Sequence, residues 1–332
     1  MSKTEKNKKV SVLISNTNTR DVLDLCLQNL KDIYSNLEVI VIDNNSIDGS
    51  ADMIAESHPW VKLIRTQNNG LATGLNLGLK QATGDYYLYL GTDGFPEKGT
   101  TIEGLIDYFE KNPNVGAATV KLLTRDGQMD MDCHRALPTP WVSLTHFLGL
   151  DKLFPTSKLF AQYFMTHKDL DSVHEIGMTI THFLFVRKET HEKVGLWDEQ
   201  FFVYGEDVDM CYRIQQAGYK LMYLGNLKAG HWKGVILGRK ETKERITTQG
   251  NISVRGKEMS RTDFYLFMRK CQSDAMRVFY KKHLGKKYPL PVTMAVLTSV
   301  TLQEKYRIYS WKFMLWKKAR AEKKAAAKTK KS

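Results

Sequence analysis

VSVLISNTNTRDVLDLCLQNLKDIYSNLEVIVIDNNSIDGS, residues 10–50, is the stretch whose reading decides the fold. VSVLIS (10–15) and LEVIVI (37–42) are nearly continuous apolar runs of strand length. Between them, Val22, Leu23, Leu25, Cys26, Leu30 and Ile33 recur at helical spacing. Apolar strands joined by an amphipathic helix form a β-α-β unit, whose parallel strands need cover on both faces. Ligands of such sheets bind beyond the carboxyl ends of the strands. There the sequence places three polar turns, NTN (16–18), DNNSIDGS (43–50) and GTDG (91–94).

The alternation continues outward. Helices are predicted at 49–58, 71–82 and 100–111, and strands at 60–65, 85–90 (DYYLYL) and 115–123. Residues 126–178 are less regular, with PTP at 138–140 and a helix around 141–150. A strand at 179–187, a helix at 189–194, a helix opening near Glu206 and a strand at 219–224 follow. From residue 258 the pattern is helical, in three segments reaching about 325. The predicted organisation is a basic tail (1–9), an α/β domain (10–250), a helical extension (251–316) and a disordered basic tail (317–332).

The chain has 332 residues and a net charge of +13, but the charge is not spread evenly. Residues 317–332 carry +7 and residues 1–9 carry +3, leaving +3 for everything between. The body is therefore nearly balanced. With no zinc-finger spacing and no recognition helix, nucleic acid is not expected as a partner. The basic ends read either as solvated tails or as attachment to an anionic membrane surface, helped by Tyr306, Tyr309, Trp311, Phe313 and Trp316. Vesicle binding by a chain truncated after Trp316 separates the two readings. Four scattered cysteines without a CxxC pair fit a reducing compartment. The longest uncharged run, Tyr288 to Gln303, contains two prolines and is too short for a membrane span. The expected location is cytoplasmic, or peripheral on the inner face of the cell membrane.

The segment FFVYGEDVDMCYRIQQAG (201–218) carries the strongest chemical signal. Glu206 and Asp207 stand together at a helix start, where the helix dipole favours ionised carboxylates. A group waiting to accept a proton suits that place, and so does plain N-terminal charge capping. Asp209 lies four residues before Arg213 and reads as an ordinary ion pair. Asp130, Asp132, Cys133 and His134 are close in sequence; a loop with incidental polar residues accounts for them better than a metal set. Met129, Met131, Met165 and Met178 read as packing residues. Walker A, GxGxxG and GxSxG motifs are absent.

In order and spacing, VSVLISNTN (10–18), LEVIVIDNNSIDGS (37–50), NNGLATGLNLGL (68–79), GDYYLYLGTDG (84–94), FLFVRKETHEKVGLWDEQFFVYGEDVDMCYRIQQAG (183–218) and HWKG (231–234) resemble glycosyltransferase family 2. RALPTPW (135–141), LGLDKLFP (148–155) and RVFYKKHLG (277–285) resemble its rhamnosyltransferase-like branch. The resemblance implies a GT-A fold, a Rossmann-like mixed sheet flanked by helices, here with a helical C-terminal extension. It implies inverting transfer from a nucleotide-diphospho-sugar, dTDP-rhamnose or a UDP-sugar, to a glycan or polyprenyl-linked acceptor in cell-surface polysaccharide synthesis. By matching position, Asn18, Asp43, Asn69, Gly74 and Asn76 would line the nucleotide pocket. His231 would lie near the diphosphate, Asp93 would hold Mg²⁺ or Mn²⁺, and Asp207 would be the base, with Glu206 as substitute.

Three positions depart from the family pattern. Thr17 stands where an aromatic is usual, Gly91 and Thr92 leave Asp93 as the metal motif's one carboxylate, and Thr181-His182 replace a Gly-Ala pair. These departures keep a second reading open, a non-catalytic GT-A-like subunit that binds a nucleotide-sugar or a glycan.

Overall fold

The computed structural model describes residues 8–232 and 252–329. The chain divides into two units, one ending at Glu258 and the other beginning at Met259. The boundary falls eight residues later than the sequence places it.

The first unit is built on a nine-stranded sheet. β1 (Val10–Asn16), β2 (Leu37–Asn44), β3 (Lys62–Thr66) and β4 (Tyr86–Leu90) lie side by side as β3-β2-β1-β4, all parallel. The expectation of a parallel sheet holds for this half. β6 (Val115–Leu123) and β8 (Phe183–Arg187) continue the sheet, and β8 runs antiparallel to both β4 and β6. β9 (Lys220–His231) pairs parallel to β6 and takes two short antiparallel partners, β5 (Gly94–Pro96) and β7 (Val173–Glu175). The sheet is thus mixed, as a GT-A fold requires.

The helices cover this sheet for the reason the sequence gives. In α1 (Arg20–Leu30), Val22, Leu23, Cys26, Leu27 and Leu30 are buried on one face. α2 (Ser50–Ser57), α3 (Leu71–Leu79) and α4 (Thr101–Lys111) turn their apolar stripes inward in the same way. β4 is buried along its whole length, and Tyr86 stacks on Phe185 of β8 at 5.0 Å. α5 (Pro140–Phe147), α6 (Leu150–Leu153), α7 (Lys188–Val194) and α8 (Glu206–Gln216) complete the unit before the short hairpin of β10 (Ile252–Val254) and β11 (Lys257–Met259).

Two strands differ from the sequence reading. The strand expected at 179–187 begins at Phe183, because the Phe183 amide folds back to the Ile180 carbonyl at 3.3 Å. This leaves Thr179–His182 as an irregular approach at the rim. The strand expected at 219–224 extends to His231, with its register against β6 shifting between Val120 and Lys121. That extension carries His231 to the sheet's end.

The second unit contains α9 (Arg261–Phe279), a π-helical turn at Tyr280–Leu284 and α10 (Leu290–Thr329). Arg277 pairs with Glu304 and Tyr265 stacks on Trp311 at 3.9 Å, so the two helices pack on each other. α10 corrects the expectation of a disordered tail from 317, since it runs on to Thr329. KKARAEKKAAAK is rich in Ala, Lys, Arg and Glu, which are strong helix formers; charge alone hides this. Tyr306, Tyr309, Phe313 and Trp316 are exposed along α10. Among the described residues, no helix is long and apolar enough to cross a membrane. Of the expected N-terminal tail only Lys8 and Lys9 are described, and Lys233 and Gly234 of HWKG lie outside the described residues.

Candidate active site

The carboxyl ends of β1 and β2 are tied together by side chains. Asn16 donates from Nδ2 to Asp43 Oδ1 at 2.7 Å and accepts from the Thr19 hydroxyl at 2.6 Å. Asp43 Oδ2 accepts from the Ser46 amide at 3.0 Å. Asn18, at φ +54°, accepts from the Ile47 amide at 2.7 Å. Of the expected nucleotide residues, Asn18 and Asp43 therefore meet in one rim, and their present bonds brace the two loops. Each Asp43 oxygen keeps further lone-pair capacity.

The other nucleotide expectations separate. Asn69 is exposed on the turn before α3. Gly74 and Asn76 are both engaged in packing. A Cβ on Gly74 would sit 3.1 Å from Asn44 Oδ1 and 3.5 Å from Ile42, against the sheet. Asn76 donates to the Trp197 carbonyl at 3.0 Å and to Glu199 at 2.9 Å, and accepts from the Trp197 amide at 3.0 Å. Its amide is spent on fastening α3 to the loop before α8. Gly70 fastens the same two regions. At φ +105°, a Cβ there would lie 2.5 Å from the Phe202 carbonyl, which accepts from the Leu71 amide at 2.7 Å.

The carboxyl end of β4 holds a different arrangement. Asp93 is 1 % exposed, and its Oδ1 has no hydrogen-bond partner. His231, opposite Gly94 in the β5–β9 pair, brings Nε2 to 3.7 Å from Asp93 Oδ2. Its Nδ1–H donates to Asp130 Oδ2 at 2.8 Å. In a neutral ring this leaves the Nε2 lone pair on the side of Asp93, the carboxylate–histidine arrangement that orients metal ligands. His182 completes the group, its ring centroid 4.7 Å from that of His231. Ligand atoms of Asp93, His182 and His231 all lie within 4.8 Å of one another. Ligands about 2.1 Å from a shared ion stand roughly 3–4.3 Å apart, so small side-chain adjustments suffice. The buried unpartnered oxygen, the oriented imidazole and the spacing together fit a divalent cation.

The chemistry of 130–135 also becomes clear. Asp130, Cys133 and His134 go separate ways, as a loop with incidental polar residues would have them. His134 bonds to His174 at 2.6 Å and to the Phe164 carbonyl at 2.9 Å, Cys133 is buried, and Asp130 turns to His231. Two residues on, Arg135 is anchored on the Asp132 carbonyl at 3.1 Å and the Tyr163 hydroxyl at 3.4 Å. Its charge acts on Asp207.

At the start of α8, Glu206 is 3 % exposed with Oε2 unpartnered, and Asp207 is half-buried. Burial, reinforced by the neighbouring Asp207, holds the Glu206 carboxyl well above the usual carboxylate range. Burial also raises Asp207, but the Arg135 guanidinium and backbone amides oppose it. Of the two, Glu206 is pushed up further, while Arg135 favours the charged form of Asp207. Asp209 is fully buried and binds Arg213 Nε at 2.7 Å, the ordinary pair its spacing predicts.

Asp93, His231, Glu206 and Asp207 were singled out in the sequence; Asp130, Arg135 and His182, which the structure places beside them, were not. The signal for His182 was its replacement of a small residue opposite a degenerate metal motif. For Arg135 it was the RALPTPW stretch.

Comparison with known proteins bears on the family and the fold. The sequence profile described as Glycosyl transferase family 2 matches residues 11–193, and that of Glycosyl transferase family group 2 matches residues 116–317. An N-acetylglucosaminyl-diphospho-decaprenol L-rhamnosyltransferase of Mycobacterium tuberculosis is 26% identical over 215 residues, 61% of this chain and 69% of that protein. A poly-beta-1,6-N-acetyl-D-glucosamine synthase of Staphylococcus aureus is 23% identical over 218 residues, 64% of this chain; the chain spans about half (47%) of that synthase. A mannosyltransferase of Pyrobaculum calidifontis, solved in complex with GDP-Man and Mn²⁺, shares the fold with a TM-score of 0.50 and 16% identity. That likeness covers 93% of this chain and 80% of the mannosyltransferase.

Proposed function

The chain belongs to glycosyltransferase family 2, and from that premise we propose that it moves a sugar, with inversion, from a nucleotide-diphospho-sugar to a hydroxyl of a glycan or polyprenyl-linked acceptor in cell-surface polysaccharide synthesis. The proposed donor is dTDP-rhamnose or a UDP-sugar; the names of the relatives speak of L-rhamnose and N-acetyl-D-glucosamine. The observation that carries the reading is the pair of adjacent carboxylates at the start of α8, Glu206 buried with Oε2 unpartnered and Asp207 half-buried where the charge of Arg135 acts on it.

Asp207 is the base. An acceptor hydroxyl is a poor nucleophile until its proton is taken, and partial burial makes an ionised carboxylate more basic than it is in water. As the hydroxyl oxygen bonds to the anomeric carbon, the bond from that carbon to the diphosphate oxygen breaks and the hydroxyl proton passes to Asp207. Attack from the face opposite the leaving group inverts the centre, and no covalent intermediate on the protein is needed. Arg135 keeps Asp207 ionised while the acceptor binds. Asn18 and Asp43 form the nucleotide side of the site. Asp93, His182 and His231 would hold Mg²⁺ or Mn²⁺, which as a Lewis acid would neutralise charge developing on the departing nucleoside diphosphate.

Asp207→Asn tests the base directly. The variant keeps the shape and loses the proton acceptor, so turnover should fall about 10²–10⁴-fold. Donor affinity, measured by calorimetry, should stay within about twofold. Undiminished turnover would remove Asp207 from the reaction and point to Glu206 instead.

A further inference from the structure

Gly91 and His182 face each other across the sheet. They follow Leu90 and Phe183, the last antiparallel pair of β4 and β8, and the Gly91 amide donates to the His182 carbonyl at 3.0 Å. Side chains of such a pair share one volume on one face of the sheet. A Cβ on residue 91 would lie 2.6 Å from Cδ2 of the His182 ring and 2.9 Å from Asp93 Oδ1. The imidazole therefore occupies the space through which a side chain at 91 would approach Asp93.

We propose that His182 is the third protein ligand of the divalent-ion site, standing in for the side chain that position 91 lacks, and that the resulting set of two imidazoles and one carboxylate selects Mn²⁺ over Mg²⁺. The inference rests on the metal reading of the site given above. Three observations support it independently of any relative. The His182 ring lies beside that of His231, the ligand atoms of Asp93, His182 and His231 are mutually close, and Asp93 Oδ1 is buried with no partner. The chemistry sets the preference. Mg²⁺ favours oxygen ligands in near-ideal octahedral geometry and gives up water reluctantly, whereas imidazole suits the transition metals. The small residue at 91 and the large one at 182 then form a single exchange. The open space at 91 and the nitrogen offered at 182 belong to one cross-strand pair.

The exchange can be run backwards. Mn²⁺ is titrated into the full chain, alone and with UDP or dTDP, and followed by electron paramagnetic resonance, with pulsed measurements reading ¹⁴N couplings from bound imidazole. The wild type should show two coupled imidazoles and bind Mn²⁺ at least about tenfold more tightly than Mg²⁺. His182→Ala should lose one imidazole coupling and about tenfold or more in Mn²⁺ affinity. His182→Gln provides the same comparison if the alanine variant unfolds. Gly91→Asp alone should weaken binding, because the new side chain meets the His182 ring. Gly91→Asp combined with His182→Ala should restore Mn²⁺ binding and bring Mg²⁺ to within about threefold of it. Unchanged couplings and affinity in both His182 variants would overturn this inference while leaving an Asp93–His231 site standing. Failure of the wild type to bind Mn²⁺ under any of these conditions would overturn the metal reading as well.

Discussion

The rim at the ends of β1 and β2 and the rim formed by β4, β8, β9 and the start of α8 are built from similar residues but left in opposite states. At the first, the side chains of Asn16, Asn18, Asp43 and Ser46 bond to one another and to nearby amides, although Asn44 Oδ1 is left over. At the second, Asp93 Oδ1, Thr92 Oγ1 and Glu206 Oε2 are buried without partners. Buried polar atoms are normally satisfied, since each orphan costs about 1–3 kcal/mol. The contrast therefore separates a rim braced before any ligand arrives from one whose buried polar atoms are left without partners. The first rim holds its shape by itself, and the second reserves its polar atoms for an ion, a diphosphate or an acceptor.

Breaking the braced rim should have the larger effect on stability. Asn16→Ala removes a donor from the Asp43 carboxylate and the acceptor for the Thr19 hydroxyl, both fully inside the protein. The expected cost is about 3 kcal/mol, read as a fall in the thermal midpoint of roughly 5–10 °C. A change under 1 °C would show that these bonds do not brace the rim.

Substitution in the unsatisfied rim should do the reverse, with a smaller amplitude. Glu206 has its folded pKa raised by burial and by Asp207. Such a carboxyl contributes its stability below the unfolded pKa of about 4.3 and loses it as pH rises through the folded value. Glu206→Gln is neutral throughout. The variant should match the wild type near pH 4 and become progressively more stable than it toward pH 8, by a few degrees in midpoint. A gain that shrinks with rising pH would contradict a Glu206 carboxyl held above its usual range.

The same contrast explains what was legible in the sequence. Apolar periodicity showed the strands and helices of the parallel half, because each buries a continuous stripe. It did not show β5 or β7, which are three residues long and exist only through β9. Nor did it show the full extent of β9, whose outer half alternates around Gly225 and Gly230. Glu206, Asp207, Asp93 and His231 were legible because their segments stand in a known order. Gly74 and Asn76 were assigned to the nucleotide by position, whereas their contacts are with the sheet and with Trp197. His182 and Asp130 reach the site through cross-strand register and a loop return, neither of which leaves a local pattern. Arg135 lies 72 residues before Asp207 and meets it only in the folded chain.

In the function proposed above, the unsatisfied rim receives a metal-bound nucleotide-sugar. The most direct test is thermal stability of the full chain against UDP-, dTDP-, GDP- and CMP-sugars, with and without Mn²⁺. A ligand at 100 times its dissociation constant stabilises by about 2.7 kcal/mol, which should raise the midpoint by several degrees. The account predicts such a rise for one nucleotide class, dependent on Mn²⁺ and lost when Asp93 is replaced by Asn. No shift with any donor, with or without the ion, would contradict it.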